Sequence, residues 1–251
     1  MEKATAALIQ SGLTTDKKMG YHHMSFFQGK NHLELHFNIF EDNEQVDRLL
    51  KNVWDNVYLK DGYEYRETNE FFVFHHIAHL VYHFLSGGCG IRPLIDLWIM
   101  KRKEFYSEEK VLPLLEQCDL VKFYRSVCKL AEVWLGDEKH DDLTMGLEKY
   151  IISGGVYGSE DNANAVGAVK YGGKIKYLLR LAFLPYKSMC IIYPSLKKFK
   201  VLLPFYYIHR IFYKLFGRDR KKAKEKINST MSQSKENILS LNALLNELNL
   251  K

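Results

Sequence analysis

Four of the ten histidines fall within nine positions, His75, His76, His79 and His83. On a helix they project at relative angles of roughly 0, 100, 40 and 80 degrees, so all four share one quadrant. Just beyond come Gly87-Gly88-Cys89-Gly90 and then Ile91-Arg92-Pro93-Leu94-Ile95-Asp96, with Arg92 and Asp96 four residues apart and able to face one side. Three chemistries suit this constellation. His79 and His83 have the i, i+4 spacing of two imidazole metal ligands, although no H-E-x-x-H base lies between them and no acidic third ligand is evident. The glycine-rich backbone leading into a helix start with Arg92 offers N–H donors, a positive helix end and a bidentate fork for phosphate. Its glycine spacing matches neither a P-loop nor a dinucleotide fingerprint. As architecture alone, the histidines would pin two helices together and Arg92–Asp96 would form an intrahelical salt bridge.

A second candidate lies upstream. Tyr21 to Gln28 and His32 to Phe40 are aromatic and apolar segments separated by Gln28-Gly29-Lys30-Asn31, and glycine at the first loop position predicts a type II′ hairpin. In the second arm Leu33, Leu35 and Phe37 alternate with Glu34, His36 and Asn38, which puts Glu34 and His36 on the same face. His140-Asp141 spells the dipeptide of metal-dependent phosphohydrolases but sits in a polar stretch that reads as a linker and helix start. No G-x-S-x-G serine and no C-x-x-C pair is present.

The elements that must position these residues are mostly helical. Proline is scarce at 5 residues and glycine numbers 16 of 251, while 47% of residues are hydrophobic and 14% aromatic, enough to pack one sizeable core or two modest ones. A short helix is expected over 2–11 with Gly12 as its C′ residue. Others are expected near 43–53, 69–86, 91–104, 108–118, 120–135, 141–153, 171–184, 195–216 (bent at Pro204) and 221–249, with a glycine-dotted loop from Ser153 to Gly173. Ile238, Leu241, Leu245 and Leu248 form a narrow apolar stripe on the last helix.

Charge is unevenly spread. Residues 165–226 carry 16 Lys or Arg against 2 Asp or Glu, so this third alone is +14 within a chain whose net formal charge is +6. Aromatics such as Tyr193, Phe199, Phe205 and Phe212 interleave with it, a composition able to meet nucleic acid, an anionic membrane face or a phosphorylated partner, or simply to form a solvated cationic face. The amino terminus lacks a basic region followed by an apolar stretch, so no secretory signal is expected. Val201 to Phe216 is interrupted by His209, Arg210 and Lys214, which leaves no transmembrane run. Cys89, Cys118, Cys128 and Cys190 lie far apart, so neither a zinc site nor a disulfide framework is expected, and a reducing cytoplasm is the expected setting.

In order along the chain, HLELHF (32–37), FHHIAHLVYHFLSGGCGIRPLIDLW (74–98), WLG (134–136), GGVYG (154–158) and then Leu184-Pro185-Tyr186, Tyr193-Pro194 and Leu202-Leu203-Pro204 followed by Arg210 resemble the uncharacterised nucleotidyltransferase family, within the polymerase-beta-type superfamily. The resemblance runs from about residue 1 to 216. It implies a small mixed sheet followed by helices, and attack of an unknown acceptor on the α-phosphorus of a nucleoside triphosphate with magnesium held by carboxylates. Three acids usually serve there, two as a D-x-D pair after a Gly-Ser turn and the third mid-strand between apolar residues. Glu34, in Leu33-Glu34-Leu35, fits the third position and is the metal ligand and catalytic residue the resemblance implies. No Gly-Ser turn with an Asp-x-Asp strand precedes it.

The expected fold is therefore α+β and predominantly α-helical, with residues 1–42 as the remnant of a nucleotidyltransferase sheet domain and 43–251 as a helical domain. Arg92, with Gly88, Gly90, His79 and His83, is expected to contact nucleotide phosphate, supported by Asp96, His36 and His76. This chain alone is expected to be inactive, its acid pair coming from a separate polypeptide. The alternative is a non-catalytic binding or scaffolding protein that holds an anionic or phosphorylated partner, with residues 165–226 as a possible anionic-surface contact.

Overall fold

A computed structural model describes residues 2–19, 23–39, 41, 43–217 and 220–251. The fold is α+β and mostly helical, as expected, with thirteen α-helices and five strands among the described residues. Contacts divide the chain into two units, Met1–Ala78 and His79–Lys251, so the division falls inside helix α3 and not near residue 42.

The first unit opens with α1 (Glu2–Gln10), ended as foreseen by Gly12 at φ +86°, where the Leu13 N–H reaches back to the Leu8 carbonyl. Three antiparallel strands follow in the order β1 (Thr14–Met19), β2 (His23–Gln28), β3 (Asn31–His36). Gly29 takes φ +60° and Lys30 is not left-handed, which is the type II′ turn its position called for. That turn sets the register: His23 faces His36, Ser25 faces Glu34 and Phe27 faces His32, while Met24, Phe26, Leu33 and Leu35 take the other face. Phe26 is wholly buried there. Tyr21 and Phe40, expected at the ends of the two arms, lie outside the described residues. Helix α2 (Glu44–Leu50) is capped by Asn43, whose Oδ1 accepts from the Gln45 and Val46 N–H groups.

Two pieces of sheet differ from expectation. β1 pairs with β2, and β4 (Val57–Asp61) and β5 (Glu64–Glu67) form a second hairpin closed by Gly62 at φ +50°. An Asp-Gly between alternating residues is the signature of such a turn. Because every position of the hairpin faces solvent or is half-buried, it has no apolar face to mark it.

Helix α3 (Asn69–Leu85) leads into the second unit. There α4 (Arg92–Arg102), α5 (Glu108–Glu116) and α7 (Asp142–Gly154) pack on α6 (Val121–Leu135), which buries Phe123, Tyr124, Val127, Leu130 and Ala131. Helix α8 (Glu160–Lys170) then becomes the hub for α7, α9 (Lys174–Ala182), α12 (Arg220–Ser232) and α13 (Lys235–Glu247). The expected loop over 153–173 is thus largely a helix. Asn164 to Val169 are six consecutive buried residues, all small or β-branched apart from Asn164, so α8 has no polar face and no helical period to read. The expected helix over 195–216 is instead two short 3-10 turns followed by α11 (Leu203–Phe216), preceded by α10 (Tyr186–Ile192). Pro204 starts α11 where its missing N–H costs nothing, and does not bend it. The 221–249 helix is two, because Ser234 caps a new start at α13.

The ends of α3, α7 and α8 meet backbone to backbone. A methyl group on Gly88 (φ +138°) would lie 3.1 Å from the Cα atoms of both Gly154 and Gly158, and one on Gly87 would lie 2.5 Å from the Ser159 carbonyl oxygen, whose own N–H donates to the Gly87 carbonyl. Gly88→Ala should therefore cost about 2–4 kcal/mol through strain and displaced backbone, read as a lower urea midpoint. Asp141, which caps α7 in a reciprocal capping box with Thr144, should cost about 1 kcal/mol on replacement by alanine.

Candidate functional site

Glu34 sits mid-strand in β3 with its side chain on the polar face of the sheet, two-fifths exposed. Three imidazoles surround it. His36 Nε2 lies 3.1 Å from Oε2, while His23 Nε2 and His32 Nε2 lie 3.7 and 3.9 Å from Oε1. The arrangement follows from geometry: residues 34 and 36 share a face by the strand's two-residue period, and the turn at Gly29 brings His23 opposite His36. Phe27 and His32 stack with ring centroids 4.8 Å apart, which holds the outermost imidazole over the sheet.

Desolvation pushes the Glu34 carboxyl pKa up, but the His36 hydrogen bond and the charges of His23, His36 and His32 outweigh it, so the group is held below the usual carboxylate range. One oxygen of Glu34 and one nitrogen each of His23 and His36 lie within 4.8 Å of one another, close enough to share an ion. Two imidazoles and one carboxylate suit a borderline transition cation. Magnesium prefers oxygen ligands in an octahedron, and among the described residues no second carboxylate joins this cluster. The donors present do not by themselves fit magnesium.

The histidines of α3 serve different ends. His75 is held between two carboxylates, with Nδ1 3.0 Å from Glu67 and Nε2 3.9 Å from Glu41, whose side chain is nearly buried. His76 stacks on Phe72. His79 and His83 are exposed and meet Nε2 to Nε2 at 3.0 Å, edge to face. Arg92 and Asp96 are both exposed, and among the described residues neither forms an ion pair, so the expected intrahelical bridge is absent there. Gly88 and Gly90 are buried: the Gly88 N–H donates to the His83 carbonyl, and the space above Gly90 is taken by Val156. The glycine corner is a packing joint between the end of α3 and the 154–158 loop, with the Arg92 side chain exposed beside it.

Residues 1–136 match the model of the family described as Uncharacterised nucleotidyltransferase, more than half of the 251 residues. The chain belongs to this family. The match takes in the hairpin, all of α3 and the glycine corner, and stops at Gly136, so the resemblances at GGVYG and at the proline-containing pieces lie outside it. No curated protein and no solved structure matches the chain.

Other candidate groups have structural employment. Asp141, of the His140-Asp141 pair, is held far below the usual carboxylate range by hydrogen bonds from Lys129 and from Thr144. None of the four cysteines is in a disulfide, and burial pushes the Cys89 and Cys128 thiols up to about 12, which leaves them inert as nucleophiles. Sequence reading missed His23 and His32 as neighbours of Glu34. Carrying the II′ register through from Gly29 pairs 23 with 36 and 27 with 32, and would have found both.

Glu34 should titrate below about 4.3, the ordinary glutamate value, in a carboxyl NMR titration, and His36→Ala should return it upward. Its contribution to stability has the sign of a depressed acid, present above the unfolded value and lost as pH falls through the folded one. In calorimetric titrations the chain should bind zinc more tightly than magnesium, and His23→Ala should remove the difference.

Proposed function

We propose that this chain is the acceptor-side part of a nucleotidyl transfer system, in which Glu34 supplies one of three metal-binding acids and the D-x-D pair comes from outside these 251 residues. What carries the reading is the placement of Glu34: mid-strand, between leucines, on the solvent face of β3, which is the edge of the β1-β2-β3 sheet. An open edge strand is a template for further strands. Added there, a strand bearing two aspartates would lie beside Glu34 and convert an imidazole-rich cluster into an oxygen-rich one. The reaction is attack by an acceptor nucleophile on the α-phosphorus of a nucleoside triphosphate, with pyrophosphate leaving. Magnesium, once held by the completed acid set, would neutralise charge on the entering and departing oxygens. From this chain, Glu34 holds, His36 orients Glu34 by hydrogen bonding, and Arg92 is the proposed phosphate contact. Four cysteines outside any disulfide support a reducing, cytoplasmic setting.

A second reading is a non-catalytic binding protein for an anionic or phosphorylated partner. It is favoured by the lone carboxylate among the imidazoles.

The test is incubation with magnesium and labelled nucleoside triphosphates, with and without the polypeptide encoded immediately upstream. Transfer should require that second polypeptide and should fall by on the order of a hundredfold or more in Glu34→Gln, as for loss of a group that stabilises transition-state charge. Transfer by this chain alone overturns the divided acid set. No transfer in either mixture favours the binding protein.

A further inference from the structure

Residues 162–218 contain eleven Lys or Arg and no Asp or Glu. From α9 onward, many apolar residues of this stretch face outward. On α11, Phe205, Ile208, Phe212 and Phe216 recur at 3-4-4 spacing along one side and are 62–70% exposed, and no residue of this fourteen-residue helix is buried. On α9, Ile175 and Leu179 are 67% and 52% exposed, four residues apart. Between the helices, Lys197, Lys198 and Lys200 alternate with Phe199 and Val201, all five exposed.

The segment is nevertheless built, not loose. It folds on a small core of Met189, Cys190 and Leu196, and its polar tips point inward. The Tyr186 hydroxyl donates to the Leu196 carbonyl, the Tyr207 hydroxyl to the Leu184 carbonyl, and Arg210 to the carbonyls of Leu181 and Ala182 at 2.8 and 2.9 Å. Phenol and guanidinium groups thus satisfy the backbone while hydrocarbon faces out, the reverse of a water-adapted surface.

We propose that residues 174–216 form a membrane-surface anchor that lies on a bilayer with anionic headgroups. The apolar sides of α9 and α11 enter the boundary between headgroups and acyl chains, and the lysines meet lipid phosphates. About 21 Å long by its residue count, α11 lies in the membrane plane, and among the described residues no helix is long and apolar enough to cross it. Charge selects the occupant. A second copy would set one acid-free surface against another. Single-stranded nucleic acid stacks its bases on outward rings and would leave the outward aliphatic groups of Ile175, Leu179, Val201 and Ile208 uncovered. The proposal is independent of nucleotidyl transfer.

Sedimentation of the full chain with vesicles of phosphatidylcholine alone, or with phosphatidylglycerol added, tests it. Binding is expected to the anionic vesicles, weakened but not abolished by salt, because salt screens the lysines and leaves the hydrocarbon contribution. Ile208→Glu with Phe212→Glu should reduce partitioning by at least roughly tenfold with helical circular dichroism unchanged, and Lys197→Glu, Lys198→Glu and Lys200→Glu together should remove the preference for phosphatidylglycerol. Should the first pair unfold the chain, Phe212→Trp decides: its added emission should shift to the blue on vesicles. No binding to anionic vesicles at low ionic strength overturns the proposal, as does an unshifted Phe212→Trp emission. Oligonucleotide binding that survives Ile208→Glu with Phe212→Glu and displaces the vesicles overturns it in favour of nucleic acid.

Discussion

Close backbone contact between two glycine segments is the constraint on which the second unit depends. Gly87 and Gly88 end α3, Gly154 and Gly158 flank the turn between α7 and α8, and the two approach until a single methyl group would have no room. Such an approach needs residues without Cβ on both sides, and left-handed backbone at Gly88 and Gly158. It sets where α7 stops and α8 begins, and hence where α9, α12 and α13 can pack on α8. The Tyr150 hydroxyl strengthens the joint by donating to the Phe84 carbonyl near the end of α3. Glycines whose backbone N–H groups could in sequence have met a phosphate are here a mechanical seam.

The hairpin is governed by a different rule, the strand period of two. It gathers His23, His32, Glu34 and His36 on one side of β2 and β3 and reserves the other for Phe26 and its neighbours. A carboxylate flanked by imidazoles is stabilised as an anion, and as a ligand set it is nitrogen-rich. Among the described residues β3 is an edge of this sheet, so Glu34 stands on a strand with one side unpaired.

Electrostatic asymmetry links the two ends of the chain. The cationic stretch from 165 to 226 carries 16 Lys or Arg against 2 Asp or Glu, so most of its cations have no acid within the stretch to pair with. Within it, exposed apolar residues of α9 and α11 lie in sequence on either side of a small core of Met189, Cys190 and Leu196, the combination of hydrocarbon and charge on which the proposed bilayer contact rests.

The local elements were legible wherever one residue pattern sufficed. Alternation in HLELHF and a glycine at the first loop position determined the second strand, its turn and the common face of Glu34 and His36. Apolar periodicity marked α3 to α7, and His209, Arg210 and Lys214 interrupt the late apolar run from Val201 to Phe216. Helix α8 was illegible because a helix buried on all sides has no period, and the β4–β5 hairpin because an exposed one has no apolar face. Only the tertiary structure decided that Gly88 and Gly90 face protein backbone and not a ligand, that His75 separates from His79 and His83, and that the basic third turns its hydrocarbon outward. Those outcomes depend on contacts between residues dozens of positions apart, and a pattern within one helix or strand carries no record of what will be packed against it.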